Sequence, residues 1–321
     1  MNPEQARWYC ETFTSLVASV ERSILGKNEA LRLAWTCMLA EGHLLLEDFP
    51  GTGKTTLARA MAQTVQGTNS RIQFTPDLLP SDVTGVTIYD QKTAEFEFHQ
   101  GPIFASIVLA DEINRASPKA QSALLEVMEE SRVTVDSVSY EVGNPFMVIA
   151  TQNPIEQAGT YRLPEAQLDR FLMKTTLGYP DHEATLRILA TGGSRPRSTA
   201  LPAIITTAQV AELAQLAATV HIEGSVFDYI ARLVEATRQA GDVRLGSSVR
   251  GALALVRASR VWAASQGRHF VVPDDVKMLA IPCLAHRIIL DPEAEFNGVL
   301  AVDVTAEVLG SVAPPTERKS S

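Results

Sequence analysis

Cysteine is scarce in this chain of 321 residues. Cys10, Cys37 and Cys283 are an odd number at unrelated spacings. That excludes a disulfide framework or a cysteine-built metal site and suggests reduced core thiols in a cytoplasmic protein. The six histidines have no metal-ligand spacing either. Long apolar runs are also missing, and no stretch approaches the ~18 uninterrupted apolar residues of a membrane span. Met1-Asn2-Pro3-Glu4-Gln5-Ala6-Arg7 lacks the basic-then-apolar order of a secretory leader. Basic charge is in deficit: 28 Lys and Arg stand against 37 Asp and Glu, giving a net charge of −9 and a pI of about 5.3. This balance argues against nucleic acid as the main partner, although a local basic patch can sit inside an acidic total. No internal repeat is present. With 45% hydrophobic and 20% charged residues, the composition is that of a soluble globular protein long enough for two domains.

The most informative stretch is Asp48-Phe49-Pro50-Gly51-Thr52-Gly53-Lys54-Thr55. It follows a short apolar run, His43 to Glu47, that reads as a strand. It precedes Thr56 to Ala62, which reads as a helix start. Strand, glycine loop and helix are the context of a phosphate-binding loop. Gly51 and Gly53 let successive N–H groups face a phosphate chain, and the helix N-terminus adds partial positive charge at the same point. Lys54 would reach the β- and γ-phosphates, and the Thr55 hydroxyl would meet Mg²⁺. Pro50, Thr52 and Thr56 complete the candidate cradle. One position departs from the usual pattern: Asp48 stands where the loop ordinarily opens with glycine.

Residues 4 to 20 and 28 to 40 read as amphipathic helices. Four more strands are predicted at Arg71–Phe74, Ser106–Ala110, Phe146–Ala150 and Met173–Leu177, with helical patterns between them. Apolar strands alternating with helices imply an α/β fold with a five-stranded parallel sheet covered on both faces. Two segments look inserted. Asp82 to Phe98 reads as two short strands with a turn at Asp90-Gln91-Lys92-Thr93. Arg132 to Val142 alternates around Asp136-Ser137 and reads as a β-hairpin. Simple sheet extension is the alternative reading of both. The predicted organisation is an α/β domain over 1–190, a Gly/Ser/Pro linker over 191–205, a smaller all-helical domain over 206–312 and a disordered tail over 313–321. Helices are predicted at 207–219, 225–240, 247–266 and 273–286, the last opened by Pro273-Asp274-Asp275.

Ile107 to Glu112 is an apolar strand ending in two carboxylates. In a nucleotide site Asp111 would hold Mg²⁺ and Glu112 would polarise the attacking water. Taken alone, two solvated acids at a strand end explain the pattern equally well. Asn153 follows the strand at Phe146–Ala150 and could orient water against a γ-phosphate; Asn-Pro is also a common turn. Arg170 opens onto the last strand, either as an ion-pair partner of Asp169 or as an arginine offered to a neighbouring subunit. Arg250 begins a helix in the second domain. It could reach the phosphates, or it could be a solvated helix arginine.

These segments together resemble the AAA+ ATPases, and within them the MoxR family. The resemblance is carried by Asp48 to Thr55, Leu109-Ala110-Asp111-Glu112-Ile113-Asn114-Arg115-Ala116, Ala150 to Pro154 and Leu163 to Phe171. It spans residues 20 to 310. It implies that Lys54 and Thr55 form the Walker A motif and that Asp111 and Glu112 form Walker B. It also implies sensor roles for Asn153 and Arg250 and a trans-acting role for Arg170. Leu25 and Gly26, within Ile24 to Lys27, correspond to the adenine-pocket segment. The two hairpins correspond to insertions that face a central pore. The second domain would be the helical lid. Two departures stand out. The segment before Arg250 is Ser247-Ser248-Val249 and lacks the usual proline. Arg162 stands where proline is common and offers a second trans contact.

The resemblance implies ATP and Mg²⁺ as cofactors and ATP hydrolysis in a homo-oligomeric ring, a hexamer, with seven subunits as the alternative. The ring would serve as a chaperone-like factor for maturing protein complexes, alongside a client and a partner bearing a von Willebrand factor A domain. Two rivals remain. A nucleic-acid motor could use the same hairpins, but Lys92 and Arg132 are outnumbered there by Glu95, Glu97, Asp136 and Glu141. A nucleotide-dependent assembly switch could dispense with a lytic base, and Glu112 argues against it.

Overall fold

The computed structural model describes residues 1–154, 161, 163–190 and 201–315. Two helices open the chain, α1 (Pro3–Glu21) and α2 (Asn28–Leu39). The α/β region follows with β1 (Leu44–Glu47), α3 (Lys54–Thr64), β2 (Asn69–Gln73), α4 (Pro80–Thr84), β3 (Gly85–Asp90), β4 (Glu95–Gln100) and β5 (Ile107–Asp111). It continues through α5 (Pro118–Glu130), β6 (Arg132–Val135), β7 (Val138–Glu141), β8 (Met147–Gln152), α6 (Glu165–Leu168), β9 (Met173–Thr175) and α7 (His182–Ala190). The rest comprises α8 (Thr207–Ala218), α9 (Gly224–Gln239), β10 (Val243–Leu245), α10 (Val249–Ser265), α11 (Pro273–Leu284), β11 (Ile289–Leu290), α12 (Pro292–Phe296) and α13 (Ala301–Ser311). These fall into two compact units. One comprises Ser15–Leu163 and Thr175–Ala211; the other comprises Met1–Thr14, Pro164–Lys174 and Glu212–Ser321.

The five-stranded sheet has the order β2-β5-β8-β1-β9. Pairings β2–β5, β5–β8 and β8–β1 are parallel. Leu44 to Leu46, Ile107 to Ala110 and Met147 to Ala150 are all buried, as expected of strands covered on both faces. Helices α2, α3 and α5 supply Leu31, Trp35, Leu57, Met61, Leu124 and Leu125 to the same core. The register brings the carboxyl ends level: Glu47 pairs with Gln152, and Gln73 pairs with Asp111. Ligands of open α/β sheets bind outside those ends.

Both inserted hairpins form, β3–β4 and β6–β7. The first begins later than predicted. Pro80 to Thr84 takes a helical turn instead, where the Asp82 carboxylate accepts from the Leu79 N–H at 2.9 Å. Asp136 and Ser137 take positive φ at the tip of the second hairpin. The two hairpins meet through stacked rings of Phe98 and Tyr140, with centroids 4.1 Å apart. Phe98 also packs edge-on against Phe104.

The second unit is built on α9, α10, α11 and α13, with Tyr229, Leu233, Leu255, Val261 and Leu279 buried between them. Helices α12 and α13 and the antiparallel pair β10–β11 come in addition to the four helices predicted. Ile288, Leu290, Ala294 and Val304 form a small apolar cluster there. Residues 191–200 of the predicted linker, Arg162 and residues 316–321 of the tail lie outside the described residues. Cys37 and Cys283 are buried thiols, whereas Cys10 is half-buried.

Candidate functional site

The loop after β1 wraps the N-terminus of α3. Gly51 and Gly53 have φ of +84° and +99°, and a Cβ at either would meet nothing within 4 Å. Backbone conformation, not crowding, therefore requires glycine here. Lys54 Nζ donates to the carbonyls of Asp48 (3.1 Å) and Phe49 (2.9 Å), which holds the ammonium across the concave side of the loop. Asp48 accounts for its own departure from pattern. Its buried carboxylate accepts from the backbone N–H groups of Leu177 and Gly178, the latter at 2.8 Å. Phe49 stacks on Tyr179, with centroids 5.7 Å apart, and Lys27 Nζ donates to the Tyr179 carbonyl. The opening of the phosphate loop is thus clamped to the segment that follows β9.

Asp111 ends β5. Its Oδ1 accepts from the Thr151 hydroxyl at 2.7 Å, and its Oδ2 accepts from Arg71 at 2.6 Å. Glu112, the next residue, sits at φ +57° and ψ +49°. That left-handed conformation is uncommon outside glycine and concentrates at functional positions. It is held by the Glu112 N–H donating to Thr151 Oγ1 at 2.8 Å. The Glu112 carboxylate accepts from Gln73 (2.9 Å) and Arg115 (3.0 Å).

These groups border one cavity of about 620 Å³. Pro50, Gly51, Gly53, Lys54, Thr55 and Thr56 of the loop and helix start line it together with Arg71, Gln73, Thr75, Asp111, Glu112 and Arg115. Three cations and two carboxylates around one cavity suit a polyanion that brings its own divalent cation. The residues fit Mg²⁺: the Thr55 hydroxyl and the Asp111 carboxylate are hard oxygen donors lining the same cavity. Thr52 is buried within the loop, its hydroxyl donating to the Phe49 carbonyl at 3.3 Å. Asn153 is buried just past the end of β8. Gly26 turns at φ +71° with Ala184 and Asp181 packed against it, and Leu25 precedes it. Arg170 and Arg250 belong to the second unit.

Comparison with known proteins agrees with this geometry. The profile of the ATPase family associated with various cellular activities (AAA) matches residues 43–173, and that of the AAA lid domain matches residues 235–308. The chaperone MoxR1 of Mycobacterium tuberculosis is 40% identical, over 95% of this chain and 82% of its own. The protein MoxR of Paracoccus denitrificans is 33% identical, over 92% of this chain and 93% of its own. This chain belongs to the MoxR family of AAA+ ATPases. A Cytophaga hutchinsonii crystal structure covers 98% of both chains at 38% identity with a TM-score of 0.91. The AAA+ fold therefore has its five-stranded parallel sheet and a helical lid, as the sequence predicts.

The MoxR-family site contains more than the motifs mark. Thr151 joins Asp111 to the Glu112 backbone, and Arg71, Gln73 and Arg115 hold the two acids. Arg71 and Gln73 alternate with Ile72 on β2, so their side chains share one face of an edge strand. A polar pair on an otherwise sheet-forming strand was a signal available in the sequence. Among the described residues, no helix is long and apolar enough to cross a membrane.

Proposed function

We propose that this chain hydrolyses ATP to ADP and phosphate within a ring of its own copies, acting as a chaperone-like factor on protein complexes. The observation that carries the reading is the pairing of the Lys54 loop with the Asp111–Glu112 strand end across one cavity. Lys54 would exchange its two loop carbonyls for phosphate oxygens. Thr55 and Asp111 would hold Mg²⁺, which supplies charge neutralisation on the phosphates when bound. Glu112 accepts a proton from water in this reading, and Asn153 orients that water. The two carboxylates are held by different partners, Asp111 by Thr151 and Arg71 and Glu112 by Gln73 and Arg115, which supports dividing metal binding from base catalysis between them. Leu25 and Gly26 would border the base. Arg250 would answer the nucleotide from the lid, and Arg170 would act on a neighbour's γ-phosphate, with Arg162 as a second candidate.

The chaperone part rests on the name of the Mycobacterium tuberculosis relative, and a client and a partner with a von Willebrand factor A domain follow from the family reading. The site itself is tested with two variants. Lys54→Ala should abolish measurable ATP binding by calorimetry with the fold intact. Glu112→Gln should keep ATP affinity while phosphate release slows by roughly 10² or more, the scale of a lost general base. Unchanged affinity in the first, or turnover within about twofold of wild type in the second, overturns the assignments.

A further inference from the structure

Asp169 immediately precedes Arg170, and its carboxylate is held by two side chains of the same compact unit. Arg287 Nε donates to Oδ1 at 2.8 Å, and the Ser248 hydroxyl donates to Oδ2 at 2.9 Å. The Arg287 guanidinium is buried and turns its other N–H groups to backbone. Its Nη2 donates to the carbonyls of Asp169 (3.1 Å) and Phe171 (2.6 Å), and its Nη1 to those of Leu172 (3.3 Å) and Cys283. His286 Nε2 donates to the Phe171 carbonyl at 3.1 Å. One guanidinium therefore grips the chain on both sides of Arg170. Ser248 is also the N-cap of α10, where its hydroxyl oxygen accepts from the Arg250 N–H at 3.0 Å.

A buried ion pair is a weak source of stability, because apolar residues of similar volume often do as well. It does fix geometry, since each partner's donors and acceptors are committed in direction. Here the fixed segment carries Arg170, and the fixing groups include the helix start that carries Arg250. We propose that Asp169, Arg287 and Ser248 form a positioning node that aims Arg170 and ties it to the first turn of α10. This rests on the reading of Arg170 as an arginine supplied to a neighbouring subunit. The arginine that a subunit presents is then linked to the helix turn that answers its own nucleotide. Asp169, Arg287 and Ser248 are positioning residues in this scheme, because they act through Arg170. A misplacement of about 1 Å is enough to cost roughly 100-fold in rate.

The test uses full-length chains with Mg-ATP. Asp169→Asn, Ser248→Ala and, as reference, Arg170→Ala are assayed alone and mixed with Lys54→Ala over a range of ratios. Asp169→Asn should lose about tenfold or more in turnover while its ATP Kd stays within about threefold of wild type. Mixing should restore activity, as for Arg170→Ala, because a subunit with an intact loop borrows a well-aimed arginine from the Lys54→Ala chain. A merely structural role would lower the melting temperature and lose activity with no return on mixing. If Asp169→Asn does not fold, Ser248→Ala carries the test, with a smaller loss of about threefold and the same complementation. Arg170→Ala complemented while neither node variant is slowed, or either slowed without complementation, overturns the node and leaves the arginine reading standing. Arg170→Ala with full turnover overturns both.

Discussion

Asp48 anchors the opening of the phosphate loop through its buried side chain. A motif search sees a missing glycine. The structure shows a buried carboxylate accepting from the N–H groups of Leu177 and Gly178. No local pattern could have revealed partners about 130 positions away, because the pairing depends on tertiary folding. Lys54, Thr55, Asp111 and Glu112 were legible for the opposite reason: their spacing is fixed by the loop and strand that carry them. Thr151 sits between these cases, inside the Ala150 to Pro154 motif but with its hydroxyl role visible only once β5 and β8 pair. Asp48→Gly restores the ordinary motif and removes both acceptors. The buried Leu177 N–H is then left unsatisfied, at about 1–3 kcal/mol, and the part-buried Gly178 N–H at about 1 kcal/mol, since water can reach it. The variant should therefore be less stable by roughly 2–4 kcal/mol in urea unfolding, with weaker ATP binding, because the loop opening is no longer anchored. A glycine variant as stable as wild type would show that the clamp contributes nothing.

At the level of elements, continuous apolar runs marked β1, β5 and β8 without ambiguity, since strands covered on both faces need no polar alternation. Strands β10 and β11, of three and two residues, were illegible because neither is long enough to show a period. Helix α12 spans five residues and is equally silent. The short turn after α11 makes a prediction that sequence could not. His286 is buried there, and burial, reinforced by the neighbouring Arg287 charge, holds its pKa well below the ordinary value of 6.5. Above 6.5 the folded and unfolded forms are both neutral, and the group adds no pH dependence. Below 6.5 the unfolded chain takes up the proton and the folded chain does not, so stability falls as pH falls until the depressed folded pKa is reached. The slope is at most about 1.4 kcal/mol per pH unit for one proton. Melting temperatures measured from pH 7.5 down to pH 5 should drop more steeply for wild type than for His286→Gln. Parallel curves would mean that His286 protonates in the native state without cost.

At the scale of the whole molecule, the question is whether one chain contains a complete site. The cavity between the Lys54 loop and the β5 end is bordered by Arg71 and Arg115, yet both guanidinium groups are engaged with Asp111 and Glu112. Each cation that Mg²⁺ and phosphate displace from a carboxylate must find another partner, so neither is a preorganised arginine for the transition state. A cation that acts there works best when it is aimed in advance and needs no reorganisation. The backbone on both sides of Arg170 is held by Arg287, and under the proposed node this aims the Arg170 guanidinium in advance. A residue supplied in trans makes catalysis depend on assembly, and assembly of like subunits follows mass action. Specific ATPase activity should therefore rise with protein concentration and level off once rings are complete. Sedimentation of Glu112→Gln with Mg-ATP should show the oligomer appearing over the same range. The net charge of −9 per chain adds a direction to this. Like-charged copies repel more at low ionic strength, where the Debye length grows from about 8 Å at 0.15 M to about 30 Å at 0.01 M. The midpoint of the activity curve should thus move to higher protein concentration when salt is reduced from about 0.15 M to about 0.01 M. Specific activity constant over a hundredfold dilution, about two decades of mass action, with a monomer in the centrifuge, would place the whole reaction within a single chain and remove the ring from the account.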